Sequence, residues 1–152
     1  MAEVAADDLA GIRTWFEDLA KAVNSLDFEA GQRGITDDFV SFSTFQDIVV
    51  GREEAEHKQW RNVWPKTKGF APRYDTLRAF VSPDRLMAVG IVLWDSIGYD
   101  EEGKPYPRPG RATMSFTREK IGDPWRANHG QMSLMRGTPA VSFGAEGKKA
   151  AE

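Results

Sequence analysis

Between Asp7 and Ser25 apolar residues recur at three- and four-residue steps (Leu9, Ile12, Trp15 and Phe16, Leu19, Val23), a spacing that gathers them on one face of an α-helix. The pattern predicts an amphipathic first helix over 7–25 with Asp7 and Asp8 in its opening turn, and a short second helix over 28–34. Phe39-Val-Ser-Phe-Ser-Thr-Phe45 is short and β-rich. Gly51 then opens a charged helix over 52–64 that Pro65 stops, because proline lacks the N–H and clashes with the preceding turn. On that helix His57, Trp60, Arg61 and Trp64 share a face.

Beyond residue 66 the period becomes extended. Runs over 73–81, 86–99, 111–119 and 125–135, parted by turn residues such as Ser82-Pro-Asp-Arg85, predict long antiparallel strands in a meander. Helices first and strands afterwards imply an α+β domain, the N-terminal helices packed on one face of a strongly curved antiparallel sheet. A single domain is expected over 1–137, and 138–152, with its Gly, Ala and Lys, reads as a flexible C-terminal tail. Within 86–99, alternation sets Ala88, Gly90, Val92, Trp94 and Ser96 on one face and Val89, Ile91, Leu93, Asp95 and Ile97 on the other. Both rows are mainly apolar, as in a strand covered on both sides.

Composition narrows the chemistry. A net charge of −3 over 152 residues leaves no basic excess to neutralise phosphates, so nucleic acid is not an expected partner. No apolar run reaches the roughly 18 residues of a membrane span, and the first ten residues lack the charged start and apolar stretch of a secretory leader. A cytoplasmic protein without membrane contact is the expectation. The absence of cysteine removes thiolate chemistry and Cys-ligated zinc, and two histidines, His57 and His129, offer little for a metal site. The sequence therefore predicts a protein that needs no metal or other cofactor.

Asp37-Asp38-Phe-Val, Val50-Gly51-Arg-Glu, Gly110-Arg-Ala-Thr-Met-Ser-Phe, and Trp125 followed by His129, Gln131 and Ser133 resemble the SnoaL-like branch of the nuclear transport factor 2-like superfamily over residues 9–137. Tyr99-Asp-Glu-Glu-Gly-Lys-Pro before the penultimate strand is similar in particular to the association domain of calcium/calmodulin-dependent protein kinase II. The family's last strand usually carries a second histidine where this chain has Gln131. The resemblance implies a cone whose concave sheet face and helices enclose a pocket, and whose convex face makes a homodimer, with a trimer as the alternative. It does not imply one chemistry, since the superfamily holds isomerases, dehydratases, cyclases, hydrolases, lyases and non-catalytic assembly domains. The steroid-isomerase tyrosine and aspartate fall near Leu19 and Ser43, so that dyad is absent.

In the same alignment the association domain's anion-binding arginines fall at Trp94, Met114 and Met132, and its pocket histidine at or beside His57. Exchange of three guanidiniums for one indole and two thioethers implies an apolar cavity suited to flat, aromatic ligands. Ala88, Gly90, Ala112 and Gly130 remove side-chain volume on the same faces. The expected walls are Trp60, Trp64, Trp94, Met114, Phe116 and Met132. His57 is the candidate proton shuttle, with Tyr74, Arg78 and Asn128 polarising or orienting the substrate. His129 and Asp95 fit the convex face and an interface role. The function this implies is a cofactor-independent lyase, isomerase, cyclase or dehydratase acting by acid/base chemistry on a hydrophobic aromatic molecule, such as a lignin-derived diaryl or polyketide-like compound. The alternative is a non-catalytic ligand-binding or oligomeric assembly domain.

Overall fold

The computed structural model describes residues 3–148. Helix α1 (Ala6–Ser25) buries Ile12, Trp15, Phe16 and Val23 of the apolar stripe, half-buries Leu19 and leaves Leu9 exposed, and its acidic first turn complements the helix dipole. Leu26 ends it in the left-handed region, and the Asp27 carboxylate then caps α2 (Phe28–Arg33) by accepting from the Ala30 N–H at 3.0 Å. The chain continues into β1 (Ile35–Phe42) and the two-residue β2 (Val49–Val50), and Gly51, at φ +85°, turns it into a helical segment over 51–66.

That segment is not one regular helix. It runs as α-helix through Gly51–Glu54, widens to a π-helical turn over Ala55–Trp60, regains α geometry at Arg61–Val63 and tightens to a 3-10 turn over Trp64–Lys66. Pro65 therefore does not stop the helix at Trp64; it is accommodated in the first positions of the 3-10 turn, where its missing N–H costs nothing.

Five further strands follow: β3 (Lys68–Val81), β4 (Met87–Tyr99), β5 (Pro105–Pro107), β6 (Gly110–Thr117) and β7 (Arg126–Leu134). The sheet order is β2-β1-β7-β6-β4-β3, with β5 paired to β4. The expected meander is present in β3, β4, β6 and β7, but the sheet is mixed rather than antiparallel, because β1 lies parallel to β7. Both strands start at the same end of the sheet, where the Gly34 carbonyl accepts the Ala127 N–H at 2.9 Å, so they run in one direction. The connection between them, residues 43–125, far exceeds the roughly dozen residues a parallel crossover needs.

Burial along β4 follows the alternation of its sequence: Ala88, Val92, Trp94 and Ser96 are buried beneath the helices, while Asp95 is exposed on the outer face. Phe80, Met87, Ile91 and Ile97 are exposed on that same outer face. Bulges bend the sheet, the widest in β3: Arg73 pairs with Leu93 and Arg78 with Ile91, so Tyr74–Leu77 all lie opposite Val92.

Residues 138–148 are not a free tail. Ser142 is buried, its hydroxyl donating to the Lys66 carbonyl at 2.5 Å and accepting the Tyr99 N–H at 2.9 Å, and the Phe143 N–H reaches the Tyr99 carbonyl at 2.9 Å. Small residues let this stretch lie close on the end of β4, which composition alone reads as flexibility. Residues 149–152 lie outside the described residues. No helix among those described is long and apolar enough to cross a membrane.

Candidate functional site

The helices do not fill the concave face. A cavity of about 90 Å³ remains between α1, α2, the 51–66 segment and the inward rows of β1, β4, β6 and β7. By this measure a water takes roughly 10–15 Å³, so the space is on the order of six to nine waters, well below the roughly 300 Å³ of a drug-sized pocket. Phe42 and Ser43 are among its more exposed wall residues and mark the solvent side.

One wall is a ladder of planar groups. The Arg61 guanidinium sits 4.4 Å over the Phe28 ring, Phe28 stacks on Trp64 at 5.3 Å, and Trp64 stacks on Trp60 at 4.8 Å, with ring planes within 16° of parallel. Gly31 of α2 makes the ladder possible: a Cβ there would lie 2.8 Å from Trp64 and 2.9 Å from Trp60. Trp60 ends the ladder at the cavity. Phe70 and Trp94, 5.4 Å apart, line the same cavity, and Met114 and Met132 line its sheet side. Five of the six expected wall residues, Trp60, Trp64, Trp94, Met114 and Met132, thus meet at one cavity. Phe116 does not. It is fully buried among Trp15, Phe16 and Trp125, at 5.0, 6.1 and 6.4 Å, as part of the core.

The expected polar residues do not converge there. His57 is 56% exposed and lies 3.5 Å from Glu56, outside the cavity wall. On a regular α-helix it stands at the edge of the Trp60–Trp64 face, about 60° from Trp60; the π turn needs more residues per revolution and carries it round to solvent. The inward positions are instead Gln59, Trp60, Val63 and Trp64. Uninterrupted alternation would set Tyr74 and Arg78 on one face of the strand, and the β3 bulge breaks it. Tyr74 packs toward α1 under the Arg13 guanidinium at 4.5 Å, where burial pushes its phenol above the ordinary value, while Arg78 is exposed and donates to the Leu77 carbonyl at 2.8 Å. Asn128 is a bulge residue too, since Ser115 pairs with His129 but Phe116 with Ala127; its Oδ1 is buried without a partner, yet it does not reach the cavity. His129, on the outer face, hydrogen-bonds the Val40 carbonyl through Nδ1 at 2.7 Å.

The cavity's one charged wall residue among those described is Arg108, 5% exposed. Pro107 and Pro109 flank it, and its backbone is held twice by Ser96: its N–H donates to the Ser96 carbonyl at 2.8 Å and its carbonyl accepts the Ser96 hydroxyl at 2.7 Å. The guanidinium lies 5.7 Å over Trp94 and donates from Nη2 to the Thr44 hydroxyl at 3.3 Å. Its Nε and the Trp94 Nε1 are buried without partners, and no carboxylate among the described residues pairs with it. Burial pushes its pKa below the ordinary arginine value. Gln59 braces the same corner, accepting the Gln46 N–H at 2.8 Å and donating to Thr44 at 3.2 Å. Between Pro107 and Pro109 the residue types read as a loop and hide Arg108, although the inward parity of Gly110, Ala112 and Met114, extended back by two, points to it. No three His, Asp or Glu side chains gather as a metal site among the described residues.

No protein-family model and no curated protein sequence matches the chain. Solved structures do. A ketosteroid isomerase-like protein from Erwinia carotovora atroseptica superposes with a TM-score of 0.72 at 16% identity, covering 86% of this chain and 98% of that one. A nuclear transport factor 2-like superfamily protein from Salmonella enterica gives 0.72 at 13% identity over 90% and 96% of the two chains. A hexachlorocyclohexane dehydrochlorinase, LinA-type3, from Novosphingobium barchaimii gives 0.68 at 20% identity over 83% and 85%. With its helices packed on the concave side of a curved mixed sheet, this protein has the nuclear transport factor 2-like fold.

Proposed function

We propose that the protein binds a small, flat, largely apolar organic molecule in the cone cavity. The observation that carries this reading is the aromatic ladder that reaches the cavity wall at Trp64 and Trp60, with Phe70 and Trp94 lining the same cavity. A planar ring between them extends a stack already three rings deep, an arrangement worth about 0.5–1.5 kcal/mol per aromatic pair beyond the area buried. The volume favours one ring over the two-ring skeletons expected from sequence. Met114 and Met132, being unbranched and flexible, supply the adjustment a ligand of that size needs.

A cofactor-independent isomerase or lyase is the second reading, favoured by two structural neighbours described as ketosteroid isomerase-like and as a dehydrochlorinase. Binding stands ahead of it because the described cavity wall carries no carboxylate, imidazole or phenol to move a proton. An outer-face homodimer, with Phe80, Met87, Ile91 and Ile97 covered, belongs to the proposal, and a trimer is its alternative.

Tryptophan fluorescence during titration with one-ring and two-ring aromatics, each mixture then assayed for product, tests both readings. Saturable quenching by one-ring compounds without conversion supports a binding protein, and conversion moves the protein to the enzymes. No saturable quenching by any of them overturns the ligand-site reading.

A further inference from the structure

The wall polarity of the cavity is one-sided. Around its Arg108 end the buried polar atoms without partners are donors, the Arg108 Nε–H and the Trp94 Nε1–H, neither of which has open surface of its own. Thr44 adds a third. Its oxygen accepts from Gln59 Nε2 at 3.2 Å and from Arg108 Nη2 at 3.3 Å, which occupies both lone pairs and leaves the hydroxyl proton to donate. The Ser96 hydroxyl proton is already spent on the Arg108 carbonyl. A lone guanidinium in a buried site is expensive, and native structures keep such charges only where something of opposite sign meets them.

Charge and shape then select the ligand. The described wall holds a single cation and no anion, so the complementary charge is −1 rather than the −2 of a phosphate or a dicarboxylate. A carboxylate at neutral pH only accepts hydrogen bonds, and its two oxygens match a guanidinium edge. The remaining wall is aromatic and apolar. Resting on the reading of the cavity as a ligand site, we propose that the Arg108 end receives the carboxylate of a one-ring aromatic monocarboxylic acid whose ring lies among Trp60, Phe70 and Trp94. Arg108 thereby returns to the cavity, from a different strand connection, a cation that the alignment at Trp94, Met114 and Met132 had removed.

Calorimetric titration of the wild type and Arg108→Met with benzoate, benzamide and acetate at one ionic strength tests the assignment. Benzoate and benzamide share a ring and differ in charge, while acetate carries the charge without the ring. The wild type is expected to bind benzoate about tenfold or more tighter than benzamide, the usual worth of a hydrogen bond to a charged group, and acetate more weakly than either. Arg108→Met is expected to lose that preference, to retain benzamide binding and to melt no lower than the wild type, since it removes an unpaired buried charge. Should the Met variant fail to fold, Arg108→Gln, which keeps a donor toward Thr44, takes its place. Equal affinity of the wild type for benzoate and benzamide, or a benzoate preference that survives in the variant, overturns the Arg108 assignment and leaves the flat-ligand reading standing. Acetate binding as tight as benzoate overturns the aromatic part. Binding by none of the three overturns this inference and the ligand-site reading together.

Discussion

Removal of the Asp8 carboxylate should unlock the start of α1 from the sheet. Asp8 is 1% exposed and accepts from Arg85 at 2.7 and 3.0 Å and from Arg118 at 2.6 Å, so one side chain joins the first helical turn to the β3–β4 turn and the end of β6. Arg118 is almost wholly buried, with its guanidinium 3.9 Å over Trp125. Asp8→Ala would leave that cation without a carboxylate, and breaking a buried pair from one side costs about 3–5 kcal/mol. For a domain of this size each kcal/mol shifts the melting temperature by about 2–4 °C, so the variant should melt on the order of 6–20 °C lower. Hydrogen bonds from Arg85, then those from Arg118, hold the Asp8 carboxyl below its ordinary range against the opposing effect of burial. A carboxylate whose folded pKa is depressed stabilises fully above its unfolded value near 3.8 and loses that contribution as pH falls through the folded pKa. Urea unfolding followed by circular dichroism should therefore show a constant gap between wild type and variant from about pH 5 to 8, closing below about pH 4. A gap under about 1 kcal/mol at pH 7, or one that widens in acid, refutes the clamp.

Other outcomes follow from single contacts. Gly110→Ala should destabilise by at least the roughly 1–3 kcal/mol of an overpacked core, because its Cβ would collide with the Trp94 ring and lie 2.6 Å from the Ser133 carbonyl; a wild-type urea midpoint would contradict the packing. Ser142→Ala strands the Lys66 carbonyl and the Tyr99 N–H, costing about 1–3 kcal/mol and exposing residues 138–148 to protease; unchanged stability and digestion would mean that this strap is not held by its serine. His57→Ala should alter neither stability beyond about 0.5 kcal/mol nor aromatic binding, because His57 points to solvent; lost binding in calorimetry would return it to the site.

What was legible in the sequence, and what was not, divides along local regularity. Helical spacing in α1 defines a buried face without reference to any partner, and alternation in β4 separates two apolar rows, of which the family resemblance assigns the one with Trp94 to the cavity. Trp60 and Trp64, one helical turn apart, survive the π turn on the inward face, and His57, within that irregularity, does not. Bulges defeated Tyr74, Arg78 and Asn128 in the same manner: parity holds along a strand only until an extra residue enters, and nothing in the residue types there announces one. The parallel β1–β7 pair depends on where two distant strands begin, which no local pattern encodes. Arg108 was hidden by composition, since a Pro-rich run reads as a loop, yet its backbone is held twice by Ser96 and its side chain lines the cavity.

The central claim, a cavity that stacks one aromatic ring, is tested most directly by calorimetry of one-ring aromatic acids against the wild type and Trp60→Ala, with both first shown to be folded. The account predicts saturable one-to-one binding that weakens roughly two- to tenfold when the last ring of the ladder is removed, the worth of one aromatic pair. Equal affinity in the two proteins, or no saturable binding to the wild type, would contradict it.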